Sequence, residues 1–212
     1  MKRFFSLLTA AAVLLSLSAC RQQAGSTSPD EPAPAQGAAP ETDNTLAPEA
    51  AADASVLIAY FSWSGNTAEM AAQIQEQTGG DLFEIVPVEP YPTDYDECGE
   101  VALAERDSNA RPEIQNLPES IDQYDTIFIG YPIWWHTAPM IIGTFLENYD
   151  LSGVDVYPFT QSASMDTEQF DQSMDFVRQA AADATVHDGL FVRASDTDGI
   201  TGYLTENGFP AA

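Results

Sequence analysis

The stretch YFSWSGNTAEM, residues 60–70, breaks an apolar pattern with a small polar loop. Before it, Ser55 to Phe61 (SVLIAYF) is an apolar run rich in strand formers, long enough for a buried strand and too short for a helix. After it, Thr67, Met70, Ala71 and Ile74 fall on one face of an amphipathic helix. The loop therefore joins a strand to a helix. Ser62, Ser64 and Thr67 supply hydroxyls, Gly65 lets the backbone approach closely, and the helix N-terminus adds free N–H groups and the positive end of its dipole. That set suits a phosphate. The same residues also read as a plain helix cap through Ser64 and Asn66, and the stretch alone does not separate the two readings.

The chain opens MKRFFSLLTAAAVLLSLSAC: two positive residues, a short apolar stretch, then Leu17, Ser18, Ala19 and Cys20. This has the form of a secretory signal over residues 1–19, too short and too soon followed by polar sequence to span a membrane. Its ending resembles a bacterial lipobox, which implies cleavage before Cys20 and a lipid on its sulfur. An ordinary signal peptide with an incidental cysteine is the alternative. Residues 21–53 hold no aromatic residue and are dominated by Ala, Pro, Ser, Gln and acids. Such a segment buries too little apolar surface to offset its ordering entropy. Residues 20–53 are expected to be a lipidated tether with a coil span on the order of 30 Å. The expected location is the cell envelope, exported and lipid-anchored to a bacterial membrane.

Residues 54–212 are long enough for one domain with a real core. From residue 55 onward they carry 27 acids against 4 arginines, a formal charge of −23, and Lys2, the chain's one lysine, lies in the signal. Nucleic acid and anionic lipid surfaces are poor partners for that field, whereas a basic docking face on a redox partner would be steered in. Self-repulsion favours a monomer, and solubility is the alternative reason for the acid excess.

Maturation at Cys20 would leave Cys98 as the remaining thiol, read as an inert small residue, with an intermolecular bridge or a redox site as the alternatives. His136 and His187 stand 51 residues apart in no ligand-type spacing, so no metal site is expected.

Strand and helix patterns alternate down the domain. Leu82 to Val88, Thr126 to Tyr131, Val154 to Thr160 and Thr185 to Ala194 read as strands two to five. Ile142, Phe145, Leu146 and Tyr149 form one helix face, and Phe170, Met174, Val177 and Ala181 another. Ile200 and Leu204 suggest a short last helix. Alternation implies an α/β fold: a doubly wound parallel sheet with right-handed crossovers and a ligand crevice at the C-terminal strand ends. Three loops meet at that edge: Ser62 to Thr67, Tyr131 to Pro139, and Gln161 to Asp166. Adjacent tryptophans at 134 and 135 are costly to leave in water. One is expected to pack on the core and the other to face a flat aromatic ligand.

The domain resembles the flavodoxin family, in its bacterial branch with a long segment between strands two and three. AYFSWSGNT (59–67), Tyr91, Pro92, Tyr95, Glu105, the run Asn109, Ala110, Arg111, Pro112, and GYPIWWHTAP (130–139) carry the likeness. The resemblance implies a five-stranded sheet of order 2-1-3-4-5 and the cofactor FMN. It places the phosphate at Ser62, Ser64, Gly65, Asn66 and Thr67, and the ring along Pro132, Ile133, Trp134, Trp135, His136 and Thr137, with Trp63, Gln161, Ser162 and Ala163 completing the site. No lysine or nearby arginine accompanies the first loop in sequence, and Gly65 is not followed by Lys-Ser or Lys-Thr, which argues against a nucleotide-hydrolysing loop. The third loop departs from the family's Thr-Ser-Gly pattern, because residues 161–166 (QSASMD) contain no glycine.

No catalytic residue is assigned. Low-potential electron transfer is the leading expectation. An FMN-dependent reductase of quinones or other small acceptors, and a flavin-free binding module on the same fold, are the alternatives.

Overall fold

The computed structural model describes residues 55–210; the expected signal, Cys20 and tether lie outside the described residues. Eleven elements follow one another: β1 (Val56–Tyr60), α1 (Asn66–Thr78), β2 (Asp81–Glu84), α2 (Tyr95–Ser108), β3 (Thr126–Pro132), α3 (Met140–Glu147), β4 (Asp155–Gln161), α4 (Thr167–Ala180), β5 (Thr185–Val186), β6 (Leu190–Phe191) and α5 (Thr197–Glu206). All neighbouring strands are parallel, in the order β2-β1-β3-β4-β5, with β6 also on β4. This is the doubly wound order expected from the sequence.

Alternation along each strand divides the core in two. Val56 and Ile58 of β1, Phe128 of β3 and Phe159 of β4 meet Met70 and Ile74 of α1 and Ile200 and Leu204 of α5. Leu57 and Ala59, Ile127, Ile129 and Tyr131, and Val156 point the other way, onto Ile141, Ile142 and Phe145 of α3 and Val177 of α4. Each such fully buried large side chain contributes about 2 kcal/mol. Gly130 in β3 is required by this packing. A Cβ there would lie 2.2 Å from the Phe159 ring that crosses it.

Two strands differ from their expected spans. The second ends at Glu84 rather than Val88, because Pro87 has no N–H for the ladder and the chain turns off the sheet. There the Val88 amide donates to the Glu113 carbonyl (2.8 Å) and the Gln115 amide to that of Val86 (2.7 Å). The fifth, expected over 185–194, is two short pieces sharing one lane beside β4. Between them Gly189 presses on α4, where a Cβ would stand 2.7 Å from the Met174 sulfur, and this draws the chain out of register.

Candidate functional site

The loops after β1, β3 and β4 converge as expected. Three helices, α2, α4 and α5, begin with an aspartate whose carboxylate accepts first-turn amides: Asp94, Asp166 and Asp196. At α1 the N-cap is Gly65 (φ +89), with no side-chain cap. The amides of Asn66 and Thr67 have no acceptor among the described residues. Ser64 therefore does not cap the helix; its Oγ accepts from Asn66 Nδ2 at 3.0 Å. Ser62 Oγ accepts from the Ala68 amide at 3.2 Å, which leaves its own hydrogen free to donate. Thr67 is buried beneath the turn. A carboxylate cap would repel an anion at α1, and none stands there.

The second loop is a tight turn. Trp134 and Thr137 exchange both backbone hydrogen bonds at 3.0 Å. Trp135 (φ +48) and His136 (φ +66) between them both take the left-handed conformation, the signature of a type I′ turn. For bulky side chains this costs about 1–2 kcal/mol per residue. The turn is held from outside: Trp135 Nε1 donates to the Gly99 carbonyl of α2 at 2.8 Å, and Arg106 donates to the Trp135 carbonyl at 3.3 Å with its guanidinium 6.0 Å from the ring.

The tryptophan pair divides between core and surface. Trp134 packs edge-on to Tyr91 (5.1 Å), Phe61 (5.3 Å) and Trp63 (6.4 Å), roofing the core. Trp135 stays 46% exposed. Trp63, whose Nε1 donates to the Pro92 carbonyl at 2.9 Å, stands beside Tyr95.

In the third loop Ser162 Oγ accepts from the Met165 amide at 3.0 Å, and Met165 (φ +54) takes the left-handed turn that glycine would otherwise make. The Gln161 side chain reaches the segment after β6. Its Oε1 accepts from the Ala194 amide at 2.9 Å, while its carbonyl takes the Ile133 amide at 3.2 Å.

A cavity of about 720 Å³ lies among these loops, lined by Trp63, Ile133, Trp134, Trp135, His136, Ser162 and Ala163. Of the remaining sequence-selected residues, Pro132 ends β3, Thr137 closes the turn, and Ser62, Ser64, Gly65, Asn66 and Thr67 form the α1 terminus. The opposite wall was not anticipated: the start of α2, with Tyr95, Cys98 and Gly99, plus Ser164 and Gln169. Asp94 followed by apolar residues at 98 and 102 is the helix-start signal that could have located it. Cys98 is buried, and burial pushes its thiol pKa up, away from the reactive thiolate.

A family model described as flavodoxin matches residues 55–206. The chain belongs to the flavodoxin family. A candidate flavoprotein from Bacteroides eggerthii is 34% identical, covering 72% of this chain and 96% of the other, with a TM-score of 0.64. A similar one from Bacteroides uniformis is 30% identical over 71% and 97%, with a TM-score of 0.63. A flavoprotein of Lactobacillus acidophilus, crystallised in complex with FMN, is 29% identical over 68% and 96%, with a TM-score of 0.57. No curated protein sequence matches.

This flavodoxin's residues fit FMN by the chemistry of their donors. Free helix amides and neutral hydroxyls suit a phosphate monoester, and flat aromatic walls suit a three-ring heterocycle.

Proposed function

We propose that the protein is an FMN-carrying electron-transfer flavodoxin, exported and held at a bacterial envelope membrane by a lipid on Cys20. The observation that carries the redox reading is the pairing of an α1 terminus whose Asn66 and Thr67 amides are free with an aromatic-walled cavity at the same strand edge. Ser62, Ser64, Asn66, Thr67 and the α1 amides would hold the phosphate. Trp63, Ile133, Trp135 and His136 would flank the ring, and Ser162 and Ala163 would close it from the third loop. Bound flavin supplies reversible electron exchange. The protein's part is to orient the ring, limit its contact with water and set the field around it. A formal charge of −23 over residues 55–212 disfavours added negative charge on the cofactor and so lowers its potential.

The field also favours a basic docking face on the redox partner. Among the described residues no helix is long and apolar enough to cross a membrane, and the proposed lipid on Cys20 would supply the attachment. The protein would act as a monomer.

Purification with an absorption spectrum tests the cofactor: a yellow protein releasing FMN supports the reading, and a colourless one that takes up no FMN refutes it. NAD(P)H oxidation with a quinone as acceptor would move the assignment from carrier to reductase. Cys20→Ala should release the protein from membranes, and unchanged membrane fractionation would remove the anchor.

A further inference from the structure

Two carboxylates line the cavity that the phosphate and ring contacts leave unused. Asp96 and Glu100 border it from α2, and no lysine or arginine lines it among the described residues. Arg106, further along the same helix, is engaged by Asp107 at 2.7 Å and by the Trp135 carbonyl at 3.3 Å, and it stays outside the lining. Both acids are exposed, as are Tyr95 and Trp135 beside them. They therefore stand at the mouth of the cavity and not on its floor.

The helix itself does not account for the pair. The α2 terminus is already capped by Asp94, whose carboxylate accepts the Asp96 and Glu97 amides at 3.0 and 3.1 Å. Asp96 in the first turn adds to the favour of the dipole, but Glu100 lies beyond that turn, where the effect has fallen away. Like charges at this spacing meet one turn apart on the helix surface and destabilise it. Neither carboxylate is ion-paired among the described residues. Further along α2 the acids are engaged: Glu105 accepts the Tyr91 hydroxyl at 2.7 Å, and Asp107 holds Arg106. Asp96 and Glu100 have only the cavity mouth to act on.

We propose that Asp96 and Glu100 are specificity-determining residues of the redox site, turning away anionic redox molecules and admitting neutral and cationic ones. This rests on the FMN reading above. A pyridine dinucleotide, which carries at least two phosphate charges, falls in the excluded class. The selection is local: at about 0.1 M salt the field of a charge is screened beyond roughly 10 Å, so acids at the mouth act on a molecule entering it and distant ones do not.

The test is stopped-flow oxidation of the full-length protein, purified in detergent, loaded with FMN and reduced with stoichiometric dithionite. The acceptors are ferricyanide, an anion; ruthenium hexaammine, a cation; and benzoquinone, which is neutral. Each takes one electron, so two acceptor molecules are consumed per reduced flavin, which returns to its oxidised form and gives up its protons to solvent. At about 0.1 M salt, D96N combined with E100Q should raise the ratio of the ferricyanide rate to the ruthenium rate roughly tenfold, with the benzoquinone rate lying between the two trends. D122N combined with D183N removes the same charge just before β3 and β5, at the strand ends opposite the cavity, and should leave that ratio unchanged. An unchanged ratio in the first variant would overturn the proposal. An equal rise in both variants would overturn it too, since net charge alone would explain the effect. Rates that rise or fall together for all three acceptors in D96N with E100Q would also overturn it, because the acids would then act through the fold or the flavin. Wild-type protein that takes up no FMN refutes the FMN reading and this inference with it, whereas any of the other failures refutes this inference alone.

Discussion

The first and second loops of the site meet the same backbone demand in opposite ways. Both must reverse the chain at a strand end through the left-handed region. The first does so with Gly65, where a Cβ would meet nothing within 4 Å. The second does so with Trp135 and His136, two side chains that resist that conformation. The difference follows from what each loop presents. At α1 the amides themselves are the binding groups, so the residue at the turn need only leave them open. At the second loop the side chains form the cavity wall, and the strain is held by the Trp135–Gly99 hydrogen bond and by Arg106. One loop is a backbone device, the other a side-chain device braced by α2.

The largest effect that sharpens this contrast belongs to Trp134. Its ring roofs Phe61, Tyr91 and Trp63, so Trp134→Ala should cost about 3 kcal/mol of stability in urea unfolding and weaken FMN and riboflavin alike. Unchanged stability would show that the second loop does not rest on the core. Next comes the double change Ser64→Ala with Thr67→Ala. Charge-assisted bonds to a phosphate are each worth about 1.5–3 kcal/mol, so FMN should weaken on the order of 10²-fold while riboflavin is almost indifferent. Equal losses for the two ligands would make the loop a structural turn with no phosphate.

A smaller pair of effects carries opposite signs. Gly65→Ala places a Cβ at φ +89 and should destabilise by about 0.5 kcal/mol once the stiffer unfolded chain is allowed for. His136→Gly relieves a strained residue and, after the entropy glycine adds to the unfolded chain, should stabilise by about 0.5 kcal/mol. Thermal unfolding of the two variants would read the signs, and like signs would erase the contrast.

How much of this was legible in the sequence follows the range of the contacts. The strand–loop–helix of residues 55–74 and the strand order rest on local periodicity and on the motifs at 59–67 and 130–139, and they appear as read. The α2 wall does not, because the Trp135–Gly99 bond joins residues 36 apart and leaves no periodic trace. The split fifth strand was hidden in one glycine pressed on Met174. Cys98 is buried on α2, and burial pushes its thiol pKa up.

The smallest effect separates the loops by pH. The floor under Trp134 includes Tyr91, whose hydroxyl donates to Glu105 Oε2 at 2.7 Å. Burial raises the Glu105 pKa above the ordinary carboxylate value, although the Tyr91 hydrogen bond pulls it partly back. A raised folded-state pKa means that the native protein holds a proton which the unfolded chain has already released. Stability from this group is therefore full below the ordinary carboxylate pKa and falls as pH rises towards the folded value, beyond which the loss is complete. Glu105→Gln should remove that decline, so urea unfolding of wild type and variant should diverge across this window and run parallel on either side. Tyr91→Phe deletes the bond that favours the ionised carboxylate and should extend the window upward. The α1 terminus takes no part, since its binding groups are amides and hydroxyls. Protein in which Glu105→Gln leaves the pH profile of stability unchanged would show that the floor of the second loop does not titrate. The pH contrast between the two loops would then fail.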